Sequence, residues 1–224
     1  MDSKVLVRME LRGLKPVLRE WTQEQARFRA IVDDFAWWYG ERSNIGLLAV
    51  AACRLRGVAA LEEFSTRKCL PEINEDKKDR HGRCDLWISG SEWGKSYAIE
   101  AKQAWTSIGA SADFGSNIDS AFEKGPWADA GNLVIDEADV RVALLFVVPR
   151  IPCGQFDSAR EQLVTFTNWL AAQRTPHRFH AVAWTLESQM KECLSADKRH
   201  SYPGVAIVAK VRQRAIKRRP AKAR

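Results

Sequence analysis

Residues 83–102, RCDLWISGSEWGKSYAIEAK, decide the fold. Two stretches of alternating character, 83–89 and 96–102, flank GSEWG, whose terminal glycines and polar residues read as a turn. Pairing the strands about Glu92 and Trp93 sets Ser89 opposite Ser96, Trp87 opposite Ala98 and Asp85 opposite Glu100. Side chains alternate along a strand, so Asp85, Trp87, Ala98, Glu100 and Lys102 are expected on one face. Leu86, Ile88, Tyr97, Ile99 and Ala101 then make an apolar face.

Two carboxylates opposed on neighbouring strands repel each other and destabilise a sheet. A hard divalent cation compensates them: Mg²⁺ binds through one or two carboxylates and keeps several waters. Such an ion lowers the pKa of a water enough for attack on phosphorus and steadies the departing oxygen. Lys102 shares the face of Glu100 and can hold a water or a developing charge. Asp85, Glu100 and Lys102 thus form a coherent phosphodiester-hydrolysing set. The other reading of the same residues is an exposed ion-pair network on an ordinary hairpin.

Outward from the hairpin, the periodicities predict a helix over 17–39 and another over 41–56, closed by Gly57. A strand is expected over 59–67 and a polar loop over 71–82. A helix over 116–130 must bend at Gly125-Pro126. VRVALLFVV, 140–148, is the most apolar run and reads as a buried central strand ending at Pro149. A helix over 156–174 and strands over 179–185 and 204–211 complete an α/β pattern with a mixed sheet.

Gly82-Arg83-Cys84-Asp85, a gap of fourteen residues, and Ile99-Glu100-Ala101-Lys102 resemble the motif of the PD-(D/E)XK, or restriction-endonuclease-like, nuclease superfamily. The resemblance covers roughly 40–150 and departs where Cys84 replaces the proline before Asp85. It implies an αβββαβ core, with a mixed central sheet flanked by helices and a fourth strand parallel to the first. It also implies Asp85 and Glu100 as ligands of Mg²⁺ or Mn²⁺, with the Ala101 backbone carbonyl as a further ligand. Lys102 would position the attacking water, and Glu41, opening the second helix, would be an additional metal acid. Around this core the chain divides into an N-terminal helical extension (1–39), a C-terminal α/β addition to the same domain (151–212) and a basic, disordered tail (213–224). The implied activity is hydrolysis of nucleic acid, DNA ahead of RNA, with a homodimer left open. The alternative is a non-catalytic nucleic-acid-binding or protein-interaction protein on the same fold.

The net charge of +7 belongs to the tail. KVRQRAIKRRPAKAR, 210–224, holds eight Lys and Arg and no acid. Residues 1–209 then carry 27 bases against 28 acids. Arg214, Lys217, Arg218, Arg219, Lys222 and Arg224 are therefore the candidate phosphate contacts, through counterion release; a solvated end that binds nothing is the other reading. Five scattered cysteines fit a reducing compartment better than a disulfide framework. With no run of eighteen apolar residues and no secretory pattern at the start, a soluble, cytoplasmic protein without a membrane partner is expected.

Other motifs are weaker. His81 and Cys84, with Cys69 upstream, give only one pair of zinc ligands. His177 and His180 lack companions and suit surface or core roles. Trp37-Trp38-Tyr39 before Glu41 reads as helix packing with Trp38 inward and Trp37 half exposed; a base-stacking platform is the sharper alternative. Trp87 and Trp105 could line the same cleft. Neither a G-x-S-x-G elbow nor a P-loop occurs.

Overall fold

The computed structural model describes residues 2–68, 80–109, 112–134, 138–173, 178–187 and 193–214. They form an α/β architecture around one open, mixed sheet of nine strands. In chain order these are β1 (Asp2–Val7), β2 (Val58–Lys68), β3 (Arg80–Gly90), β4 (Lys95–Ser107), β5 (Leu133–Val134), β6 (Val140–Pro152), β7 (Ala181–Leu186), β8 (His200–Ser201) and β9 (Gly204–Arg214). Across the sheet the order is β1-β7-β9-β6-β4-β3-β2-β5, with β8 beside the far end of β6. β2, β3 and β4 are successively antiparallel, and β6 lies parallel to β4. β6 therefore runs in the direction of β2.

Helices α1 (Lys15–Val32) and α2 (Glu41–Arg54) cover one face, packed side by side. Glu24 of α1, almost fully buried, pairs with Arg54 of α2 at 2.5 Å. The other face is covered by α3 (Phe114–Phe122), α4 (Ala128–Asn132) and α5 (Ala159–Ala172). β6 is the spine between the layers. Val142, Leu144, Phe146 and Val148 enter the core under α1 and α2, while Ala143, Leu145 and Val147 enter the opposite core. A strand buried on both faces reads as a continuous apolar run, and truncating Phe146 there should cost about 3–5 kcal/mol.

The expected elements are present, with five corrections. The first long helix ends at Val32, not residue 39. Asp33 adopts a left-handed conformation (φ 56°) that stops it, and Asp34 turns back to accept the Phe35 N–H at 2.7 Å. A separate 3-10 turn, Ala36–Tyr39, follows. β6 continues through Pro149 to Pro152, because Pro149 falls between the β9 ladder, which ends at Val147, and the β8 pairing, which begins at Ile151; no donor is needed there. β3 begins at Arg80, inside the stretch read as loop; 71–79 lie outside the described residues. β9 extends to Arg214, so the tail boundary at 213 falls inside a strand. The N-terminal extension is not purely helical: β1 pairs with β7 at the sheet edge. Its half-exposed residues carry no clear alternation, which is why the sequence hides it. No described helix is long and apolar enough to cross a membrane.

Candidate active site

The register of the central hairpin is the expected one. Ser89 pairs with Ser96, Trp87 with Ala98 and Leu86 with Ile99. The ladder stops there, one rung short of Asp85 and Glu100. Instead of facing Glu100 across a rung, Asp85 turns its carboxylate towards β4, and Oδ2 accepts the Ala101 N–H at 2.8 Å. A residue in an antiparallel ladder presents its N–H and C=O to the same neighbour, so the Ala101 carbonyl shares the edge at which the strands part.

A distortion in β2 accompanies this parting. Glu63, between the rungs Glu62–Leu86 and Phe64–Cys84, has φ 50°. Such a conformation costs a non-glycine residue roughly 1 kcal/mol or more, and irregularities of this kind gather beside functional sites. Around it the alternation breaks. Leu86 and Ile88 pack under α1 and α2, but Cys84 is buried on the opposite face with Ala98, Leu133 and Trp87. Burial pushes the Cys84 thiol up to about 12, with Glu100 and Asp85 adding to it, so it is inert.

Glu100 is 1% exposed. Its Oε1 lies 2.8 Å from Nζ of Lys68, the last residue of β2. Burial pushes the Glu100 carboxyl up to about 7; Lys68 pulls against that and Asp85 reinforces it. Lys68 is the main participant that sequence reading misses. It sits beside a polar stretch without periodicity, and its one clue is indirect: a carboxylate placed in an apolar strand needs a counter-charge.

Lys102 reaches between two helices. Its Nζ is 3.3 Å from Asp129 of α4 and 3.8 Å from Glu41 of α2. Burial works against the ammonium, yet Asp85, Glu41 and Asp129 outweigh it and raise its pKa. The stem passes beneath Gly125, where a Cβ would come within 3.1 Å of Lys102 Cγ. Gly125 interrupts the helical path between α3 and α4 (φ −100°, ψ −106°), as Gly125-Pro126 foretold.

Glu41 opens α2 after Gly40 (φ 95°) and accepts the backbone N–H of Gln103. Burial raises its pKa, against the pull of Lys102 and with repulsion from Asp85. One turn on, a buried amide chain locks α2 to β4. Gln25 donates to Asn44 at 3.0 Å, Asn44 donates to Gln103 at 2.8 Å, and Gln103 donates to the Trp37 carbonyl at 3.2 Å.

Asp85, Glu100 and Lys102 are thus brought into one electrostatic cluster, but not as an exposed network. Glu41 joins it through Lys102 rather than beside the other two acids. Among the described residues, no three of His, Cys, Asp and Glu converge tightly enough to hold a metal ion. Two carboxylates suffice for Mg²⁺ with its waters, and the chemistry of the pair fits. Glu100 Oε1 is buried without a well-formed hydrogen bond, having only the Lys68 charge beside it. Glu41, Asp85, Glu100 and Asp129 outnumber Lys68 and Lys102, an excess of negative charge that a cation would offset and that Arg42, in range of Glu41 and Asp85, offsets only in part.

Compared with family models, curated proteins and solved structures, the chain matches none. The remaining candidates fall elsewhere. His180 is structural: its Nδ1 accepts the Val211 N–H at 3.1 Å. Trp37, not Trp38, is the inward tryptophan, fully buried and donating to the Tyr202 carbonyl at 3.0 Å, because the break at Asp33 rotates the following turn. Trp87 stacks on Phe64 beside the site. Trp105 packs edge-on against Tyr202, three residues past Lys102 and on the opposite face. Cys69, His177 and residues 71–79 of the polar loop lie outside the described residues, as do Lys217, Arg218, Arg219, Lys222 and Arg224.

Proposed function

We propose that this chain is a divalent-metal-dependent nuclease that hydrolyses nucleic-acid phosphodiester bonds, with DNA as the first substrate to test. The observation that carries the reading is the Asp85 carboxylate bonded to the Ala101 N–H where β3 and β4 part, between Glu100 and Lys102. Supporting it, α2, the antiparallel β2–β3–β4, the α3–α4 segment and β6 follow the order of a restriction-endonuclease-like core.

In this reading Asp85 and Glu100, with the Ala101 carbonyl, hold Mg²⁺ or Mn²⁺. When bound, that ion supplies a lowered water pKa and charge compensation at phosphorus. Lys102 stays protonated and is therefore a donor, holding the attacking water or the phosphate oxygen at Nζ. Glu41, its pKa raised and its carboxylate 3.8 Å from that ammonium, is placed to take the proton. Lys68 offsets the charge of Glu100 while no phosphate or cation is present.

A second reading has two observations in its favour: Lys68 already neutralises Glu100, and among the described residues no three-acid group is assembled, as suits a binding protein without catalysis. Nicking of supercoiled plasmid in Mn²⁺ separates the two. Cleavage by the wild type, absent in Glu100→Ala of unchanged fold, supports the nuclease. A folded wild type that binds DNA without nicking it in Mg²⁺ or Mn²⁺ supports the second reading.

A further inference from the structure

A groove of about 520 Å³ lies at the turn end of the β3–β4 hairpin, remote from the carboxylates. Arg12, Lys15 and Arg19 border it from one side and Lys95 from the other, with Glu92 the single acid of its lining and Trp93 a half-buried wall. Arg12 lies in the 3-10 turn Met9–Leu14 that leads into α1, and Lys15 and Arg19, four residues apart, share one face at the start of α1. Among the described residues none of the four bases has an ion-pair partner. The first turn of α1 contains no acid, so Lys15 sits unopposed at the positive end of the helix dipole. Four unpaired cations converging on one concavity repel each other, and an anion relieves that cost.

We infer that this groove binds the phosphate backbone of a nucleic acid, at a point remote from the bond that is cut. The inference rests on the nuclease reading and adds to it a contact that the charge balance of residues 1–209 conceals. Lys95 and Glu100 are five residues apart on β4, about 17 Å at 3.3–3.4 Å per residue. Tyr97 of the groove faces the layer of α1 and α2, whereas Glu100 and Lys102 lie on the other face of β4, so the groove is a contact separate from the site. The alternative occupant of a basic groove rimmed by an exposed Met9 is an anionic membrane; the concave shape, which a flat bilayer does not fill, favours the nucleic acid.

The test is the double variant Lys15→Ala/Arg19→Ala in the full chain, where alanine preserves helix propensity. Binding of a 20-base-pair duplex is followed by fluorescence anisotropy in EDTA at several salt concentrations, beside binding to vesicles containing phosphatidylserine. The expected result is at least tenfold weaker duplex binding at low salt and a salt slope flatter by about 0.9 per lost contact. The cleavage rate at saturating substrate should be unchanged. A wild type and a variant that bind the duplex alike, with equal slopes, overturn the groove but leave the nuclease reading standing. Loss of vesicle binding with duplex binding intact also overturns it, in favour of a membrane. A wild type that neither binds nor nicks the duplex removes both readings together.

Discussion

Asp85 Oδ2 accepts the Ala101 N–H at 2.8 Å, so a side chain takes the place of a ladder carbonyl at the rung where β3 and β4 separate. The carboxylate is thereby fixed by the strand that carries Glu100 and Lys102. Asp85→Asn keeps an oxygen acceptor for that N–H and should unfold in urea within about 1 kcal/mol of the wild type. Asp85→Ala leaves a donor unpaired and should lose about 1–3 kcal/mol. Both should lose Mn²⁺-dependent cleavage. Equal stabilities for the two variants would show that the hydrogen bond does not hold the strands.

Glu100 gives the fold a pH dependence. Its carboxyl is pushed up to about 7 from an ordinary value of 4.5. The unfolded chain therefore ionises first as pH rises, so the stability present below about 4.5 is lost up to about 7. The loss is on the order of 3 kcal/mol. In EDTA, Glu100→Gln should flatten the stability profile across this window. Metal binding must displace the same proton, so the apparent Mn²⁺ affinity should climb up to tenfold per pH unit below about 7 and level off above it. A pH-independent affinity would take Glu100 out of the ligand set.

Lys68→Met tests the counter-charge. Removing one partner of a buried pair costs about 3–5 kcal/mol, and here the penalty should appear as pH rises, because protonated Glu100 needs no partner. At pH 5 the variant should melt close to the wild type, and at pH 8 well below it. The double variant Lys68→Met/Glu100→Gln should recover most of the loss. A uniform deficit across pH would indicate lost packing of the lysine stem instead.

The sequence discloses the hairpin because its two strands alternate cleanly around a glycine-bounded turn, and β6 because it is apolar on both faces. These fix Asp85, Glu100 and Lys102 near one another. Lys68 and Asp129 stay hidden because their partners lie on other elements, and no local period records a contact across the sheet. The Asp33 break escapes because helical spacing continues through Phe35 and Trp38 even though the backbone turns. Arg12, Lys15 and Arg19 likewise mean little until the fold sets Lys95 opposite them.

Lys102→Ala should keep the fold and metal binding while reducing cleavage by a factor of roughly 10²–10⁴. With its competing ammonium gone, Mn²⁺ affinity should be equal or tighter. Gly125→Ala probes the same residue from outside. Its Cβ would press on Lys102 Cγ at 3.1 Å, so cleavage should fall while Mn²⁺ affinity holds. Cleavage by Lys102→Ala at the wild-type rate would remove this lysine from the chemistry.

The tail should act on binding and not on turnover. Because β9 pairs through Arg214 with Val140, the cut belongs after that residue; deletion from 213 would strip the last rungs of a sheet strand. Removing 215–224 takes away Lys217, Arg218, Arg219, Lys222 and Arg224, five charges. If these meet phosphates, the slope of log K against log salt on duplex DNA should flatten by up to about 0.9 per contact. Arg214, the last described residue, and the groove lie towards the same end of the sheet, since Arg214 pairs with Val140, Val140 with Tyr97, and Tyr97 borders the groove. The truncation should therefore add to the Lys15→Ala/Arg19→Ala loss if the two contact different phosphates, and fall short of additivity if they share them. The rate at saturating substrate should be unaffected, because no catalytic role falls beyond Lys102. Loss of turnover with binding intact would place the tail in the active site, and an unchanged salt slope would leave the groove to hold the backbone alone.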